Sequence, residues 1–123
     1  MDIFPISLKL QQQPCLIVGG GAIAYRKAVL LAKAGAIIHV VAPAIEAKLL
    51  QLVHSTQGQY LQAPFSLDMP LRHYRLVIAA TNDKMVNIQV FECCEAENIL
   101  VNSVDDLPHC RFMVPAIVDR SPL

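Results

Sequence analysis

An α/β fold, a parallel sheet carrying helices on both faces, is predicted by three features of this sequence. The first is a short apolar run, Cys15 to Val18, that leads directly into Gly19-Gly20-Gly21 and then into a helical pattern. A buried parallel strand is apolar on both faces, and glycines let the chain turn sharply out of it. The second is repetition of that unit, since apolar runs of strand length alternate with stretches of helical periodicity. The third is composition: 54% of the residues are hydrophobic and 16% charged, a balance rich in core and poor in solvated surface. Parallel strands joined through helices close with right-handed crossovers, which gives a Rossmann-type sheet.

Each element has its own warrant. Phe4, Ile6, Leu8 and Leu10 alternate with Pro5, Ser7 and Lys9, the period of a half-buried strand. Gln11 to Pro14 forms the turn into the strand at Cys15 to Val18. The first helix spans about Ala22 to Ala34, with Ala24, Ala28 and Leu31 on one face and Gly35 placed as its C-terminal cap. Ile37 to Val41 is the second strand, ended by Ala42-Pro43. Ile45, Leu49, Leu52 and Val53 mark a helix over about 44–53. Gly58 breaks the chain before a third strand around Tyr60-Leu61, and Ala63-Pro64-Phe65 ends that strand. Leu76 to Ala80 is the fourth strand. Asp83 then caps a helix running to about Glu97, whose buried stripe is Val86, Val90 and Cys94, with Phe91 alongside. Ile99 to Val104 is the fifth strand, and Asp105-Asp106 follows its end. Phe112 to Val118 is a further extended run, interrupted by Pro115 and therefore an edge or linking strand.

Chemistry concentrates at the glycines. Gly19, Gly21 and Ala24 have the spacing G-x-G-x-x-A of a dinucleotide-binding turn. Gly19 permits the tight turn, Gly21 has no Cβ to hold a diphosphate away, and Ala24 lets the helix pack closely on the sheet. The helix that follows aims unpaired N–H groups at the phosphates. The alternative is a glycine-rich turn that binds nothing. Ligands of such sheets lie outside the carboxyl ends of the strands. The candidate site is therefore the glycine turn, Ala42-Pro43-Ala44, Thr81-Asn82-Asp83 and Asp105. The acidic residue that binds a ribose about 20 positions after the glycines is replaced here by Val41, Ala42 and Pro43, and Glu46 is expected inside the next helix. Backbone groups must then hold the ribose, and side chains do not choose between NAD and NADP.

Composition excludes other classes. Ten Lys and Arg balance ten Asp and Glu, so no global basic field draws in nucleic acid. No basic amphipathic helix suggests a membrane surface, and no apolar run reaches transmembrane length. The start, Met-Asp-Ile-Phe-Pro-Ile-Ser, lacks the basic end and apolar core of a signal peptide, and a cytoplasmic protein is expected. The hydrophobic excess predicts a buried partner surface. Four cysteines and four histidines include no C-x-x-C or H-x-x-x-H spacing, so no metal site is expected. Cys15 reads as a core residue, His39 as a strand residue, and His54 and His73 as solvated.

Six blocks then stand in order: Val18 to Lys27, Leu30 to Ala36, Val40 to Pro43, Ile78 to Asp83, Val101 to Asp106 and Phe112 to Leu123. Together they resemble the N-terminal module of the siroheme synthase family, which comprises precorrin-2 dehydrogenases and sirohydrochlorin ferrochelatases. The resemblance runs from Phe4 to Leu123. It implies oxidation of precorrin-2 to sirohydrochlorin with NAD⁺, and in many members insertion of Fe²⁺ to give siroheme. It also implies NAD contacts at Ala22 and Ile23 and at Pro43 and Ala44, which join Gly19, Gly21 and Thr81 as candidate cofactor-binding residues. Asp105 matches the aspartate that the family uses in dehydrogenation, where a carboxylate serves as general base. Asp106 reads as a turn or capping residue and His109 as a loop histidine. Arg26-Lys27 matches the family pattern, with a solvated helix face as the plainer reading. Arg72, Arg75, Arg111 and Arg120 are candidate anchors for the substrate's carboxylates, with ordinary surface charge favoured for each.

Family members continue beyond Arg120-Ser-Pro-Leu123 into a dimerisation segment and a helical domain that help form the tetrapyrrole pocket. The expectation is an NAD-binding domain at 1–110, the start of a truncated dimerisation segment at 111–123, and a homodimer. If the protein ended at Leu123, the expectation is that the cofactor site would be kept and the substrate site would be incomplete. The competing expectation is a non-catalytic NAD-binding module, either a truncated remnant or a redox sensor; a weaker one is an interaction module with an empty nucleotide fold.

Overall fold

The computed structural model describes residues 3–114. Five parallel strands, β1 (Pro14–Val18), β2 (Ile37–Ala42), β3 (Tyr60–Gln62), β4 (Leu76–Ala79) and β5 (Leu100–Ser103), form one sheet in the order β3-β2-β1-β4-β5. Helix α1 (Ala22–Lys33) joins β1 to β2, α2 (Ala47–Ser55) joins β2 to β3 and α3 (Lys84–Ala96) joins β4 to β5. A segment without a helix leads from β3 to β4, and a short 3-10 turn covers Leu107–His109. The order reverses at β1, which sends β2 and β3 to one side and β4 and β5 to the other. That reversal opens a crevice at the carboxyl ends of β1 and β4.

Alternate residues of the central strands feed two cores, as the period of 2 demands. Cys15, Ile17, Ile38, Val40, Leu76 and Ile78 point toward α1 and α2, meeting Ala24, Ala28, Leu31, Leu49 and Val53. Leu16, Val18, Val41, Val77 and Ala79 point the other way, toward Val90 and Cys94 of α3 and toward Leu71. Helices on both faces are therefore borne out. Burial pushes the Cys15 thiol up to about 11 and the Cys94 thiol up to about 12. Both stay protonated and behave as small apolar core residues.

Three details differ from the sequence reading. Phe4 to Leu10 is not a strand: Phe4, Ile6 and Leu8 are exposed, and only Leu10 is buried. Alternation alone does not make a strand when no sheet edge pairs with it. Helix α2 begins at Ala47, because a backbone bond from the Glu46 N–H to the Gly20 carbonyl (2.8 Å) holds the preceding residues in an extended path. Glu46 thus stands at the mouth of α2 as its N-cap position, exposed, and not inside the helix. Phe112 to Val114 is not a strand, although Asn102 and Cys110 form an isolated antiparallel bridge just before it. The rest of that run, 115–118, lies outside the described residues.

Candidate functional site

The glycine turn is built by close backbone packing. Gly19 has φ +127°, its N–H donates to the Val41 carbonyl at 3.0 Å, and a Cβ there would stand 2.3 Å from the Ala80 carbonyl oxygen. Gly20 is as constrained, since a Cβ would fall 2.0 Å from the Ala44 carbonyl oxygen. This contact, which the sequence reading passed over, seats the turn against the Pro43-Ala44 loop. Only a glycine fits between two backbones so close, and the middle glycine of the run was the available signal. Gly21 differs from both: a Cβ on it would meet nothing within 4 Å.

That open side of Gly21 is also the start of α1. No side chain caps the helix, no acidic residue lies in its first turn, and its first bond runs from the Tyr25 N–H to the Gly21 carbonyl at 3.0 Å. The N–H groups of Ala22, Ile23 and Ala24 therefore precede that bond and face outward with the positive end of the helix dipole. Such an end binds anionic oxygens. Pro43 and Ala44 are exposed beside it.

Thr81 sits on the loop after β4, and its polar groups are engaged within the protein. Its N–H donates to Asn87 Oδ1 at 3.0 Å and its carbonyl accepts from Asn87 Nδ2 at 3.2 Å. Its hydroxyl lies 2.7 Å from Asn87 Oδ1 and 2.9 Å from the Asp83 carbonyl, and accepts the Asp83 N–H at 3.1 Å. Asp83 in turn caps α3 by accepting from the Met85 N–H at 2.9 Å, as its position predicted. Asn87 is the residue that the apolar stripe of α3 concealed, being only 5% exposed. Its own carbonyl accepts from the Ser103 hydroxyl at 3.4 Å, which ties the Thr81 loop to the end of β5. Asn87→Ala leaves the Thr81 N–H without its partner. It should cost about 1–3 kcal/mol, read as a lower urea midpoint at unchanged slope.

Beyond β5, Asp105 is exposed in a turn with φ +55°. Aspartate tolerates this left-handed region better than most residues. The turn is secured by bonds from the Asp106 N–H to the Ser103 carbonyl (3.2 Å) and from the Val104 N–H to the Ala79 carbonyl (3.0 Å). His109 Nδ1 faces Asp106 Oδ2 at 2.9 Å, and the His109 ring packs edge-on to Phe91. The Cys110 thiol accepts from the Ser103 N–H at 3.3 Å and lies 3.2 Å from the Ser103 carbonyl. Burial pushes this thiol up, the Ser103 backbone bond opposes that, Asp106 adds to it, and the charge of Lys27 opposes it in turn. Cys110 is thus a neutral hydrogen-bonding group.

Asp105 also lines a cleft of about 620 Å³ between α1 and the β5 end. From α1 come Ile23, Arg26, Lys27 and Leu30, and from the other wall Asp105, Asp106, Leu107, Cys110 and Met113. Ile23 belongs both to this cleft and to the helix start beside the glycine turn. Of the cations named as anchors, Arg111 pairs with Glu95. Arg75 Nε donates to Gln13 Oε1 at 2.6 Å, at the amino end of the sheet. Arg72 is exposed and outside the cleft, and Arg120 lies outside the described residues.

Comparison with known proteins agrees with this geometry. A family model described as "Putative NAD(P)-binding" matches residues 6–116. The siroheme synthase of Acinetobacter baylyi is 63% identical over 123 residues, covering 100% of this chain and 27% of that protein. The siroheme synthase of Zymomonas mobilis is 46% identical over the same length, covering 26% of that protein. The chain thus spans about a quarter of the length of these relatives. A solved structure titled "SirC, precorrin-2 dehydrogenase" superposes with a TM-score of 0.78 at 27% identity, covering 98% of this chain and 59% of that one. The resemblance carried by the six sequence blocks is borne out.

Proposed function

This chain belongs to the NAD(P)-binding family of that description, and on that premise we propose that it is the cofactor module of an NAD-dependent precorrin-2 dehydrogenase, forming sirohydrochlorin for siroheme biosynthesis. One observation carries the reading: Ile23, at the diphosphate-binding end of α1, and Asp105, at the end of β5, line the same cleft. A cofactor on the glycine turn and a carboxylate at the reacting centre are what a dehydrogenation needs.

NAD fits the residues present, because Gly21 leaves the approach open and α1 starts without a cap. When bound, NAD⁺ supplies the hydride acceptor. Gly19 and Gly21 shape the turn, and the amides of Ala22 and Ile23 hold the diphosphate. Backbone groups of Pro43 and Ala44 hold the adenosine side, with no acidic side chain on the last residues of β2. Thr81, its own polar groups committed to the loop, shapes the edge of the site at the end of β4. Asp105 takes up the proton that leaves the macrocycle as a C–H bond breaks and its electron pair departs as hydride. The substrate thereby loses two electrons and becomes sirohydrochlorin.

Fe²⁺ enters the same reading as a substrate, since insertion also requires pyrrole N–H protons to leave. Residues 1–110 form the cofactor domain and 111–123 begin a dimerisation segment of a cytoplasmic homodimer with no nucleic-acid or membrane partner. The exposed Ile3, Phe4 and Ile6 support a buried partner surface. The test is NADH formation from precorrin-2 by the protein that carries this chain. A second reading, a non-catalytic NAD-binding module, draws on the family model, whose description gives NAD(P) binding and no reaction. NAD binding by calorimetry without turnover would favour it.

A further inference from the structure

We propose that Arg26 and Lys27 anchor the carboxylates of the macrocyclic substrate on the wall of the cleft that faces Asp105, an inference that rests on the dehydrogenase reading above. Helix α1 presents two working faces. Ala24, Ala28 and Leu31 bury one of them against the sheet. Ile23, Arg26, Lys27 and Leu30, spaced three and four residues apart, line the cleft with the other.

A merely solvated face would be polar throughout. This one sets two cations between two aliphatic side chains, and Leu107 and Met113 add apolar surface across the gap. A flat ring system bordered by carboxylates has the complementary pattern, apolar in its plane and anionic at its rim. The cleft also falls within the range of about 300–1,000 Å³ usual for ligand pockets.

Charge placement points the same way. Cations line one wall and Asp105 and Asp106 the other, yet among the described residues no ion pair within 4.0 Å joins them. The two walls are held apart by a space that a ligand can fill. Lys27 is half-buried, so its ammonium meets an incoming carboxylate with less competition from water. Its charge is felt at the Cys110 thiol on the opposite wall. Arg26, exposed at the cleft edge, offers a planar fork suited to a carboxylate.

The experiment compares wild type, Arg26→Gln, Lys27→Gln and the double variant within the protein that carries this chain. It measures the KM for precorrin-2, the Kd for sirohydrochlorin by fluorescence, the Kd for NAD, and the melting temperature. Each single variant should raise the tetrapyrrole KM and Kd about tenfold, with NAD affinity and melting temperature unchanged. Arg26→Lys and Lys27→Arg should recover most of the loss, and fully esterified sirohydrochlorin should bind wild type and variants alike. Turnover with unchanged tetrapyrrole affinity in the double variant would remove the anchors and leave the dehydrogenase standing. A wild type that neither binds nor oxidises the tetrapyrrole would remove both.

Discussion

Gly21→Ala should fold as the wild type does and bind NAD about 10- to 100-fold more weakly. Apart from its two chain neighbours the added methyl meets no protein atom within 4 Å, and the residue's φ of −96° is open to any amino acid. Folding therefore has no reason to object. A diphosphate approaching the amides of Ala22 and Ile23 must come through that same open space. Displacing it lengthens charge-assisted bonds that contribute about 1.5–3 kcal/mol each. Gly19→Ala should do the reverse. Its Cβ would lie 2.3 Å from the Ala80 carbonyl oxygen and its φ is +127°, so the strand–turn junction must distort at a cost of about 3 kcal/mol or more. Calorimetric titration with NAD and urea unfolding of both variants separate the two effects. Normal NAD affinity in Gly21→Ala would place the diphosphate elsewhere.

That contrast marks where the sequence could be read and where it could not. Strands β1, β2, β4 and β5 and helices α1 and α3 were visible because their signals are local: apolar runs, a glycine turn, and Asp83 as a cap confirmed by its bond to Met85. The segment from Phe4 to Leu10 misled for the same reason. Its alternation is local, whereas strand formation requires a partner edge that sequence does not display. The start of α2 depended on a long-range bond from Glu46 to Gly20. The site divided likewise. Gly19, Gly21, Ala22, Ile23, Pro43, Ala44, Thr81 and Asp105 were named in advance, and all of them follow the carboxyl ends of strands. Asn87 escaped notice because a buried amide interrupts an apolar stripe without announcing what it bonds. Arg26 and Lys27 resembled an ordinary helix surface until the β5 end was seen to stand across from them.

Asp105→Asn should lower kcat for precorrin-2 oxidation about 10²- to 10⁴-fold, the range for removing a positioned general base. The choice of asparagine matters, because φ at this residue is +55° and asparagine accepts the left-handed region as readily as aspartate. The turn that sets the carboxylate over the cleft therefore survives, and only the capacity to take a proton is lost. Asp105→Ala would confound this by adding backbone strain of about 1–2 kcal/mol. In this reading Asp105 meets the reacting macrocycle and the amides at the start of α1 meet the diphosphate, so NAD affinity should change far less than kcat. Asp106→Asn provides the comparison, since Asp106 faces His109 at 2.9 Å and serves the 3-10 turn. It should shift stability more than kcat. Rates for Asp105→Asn within threefold of wild type would assign the proton to solvent, and the carboxylate would then have no part in the chemistry.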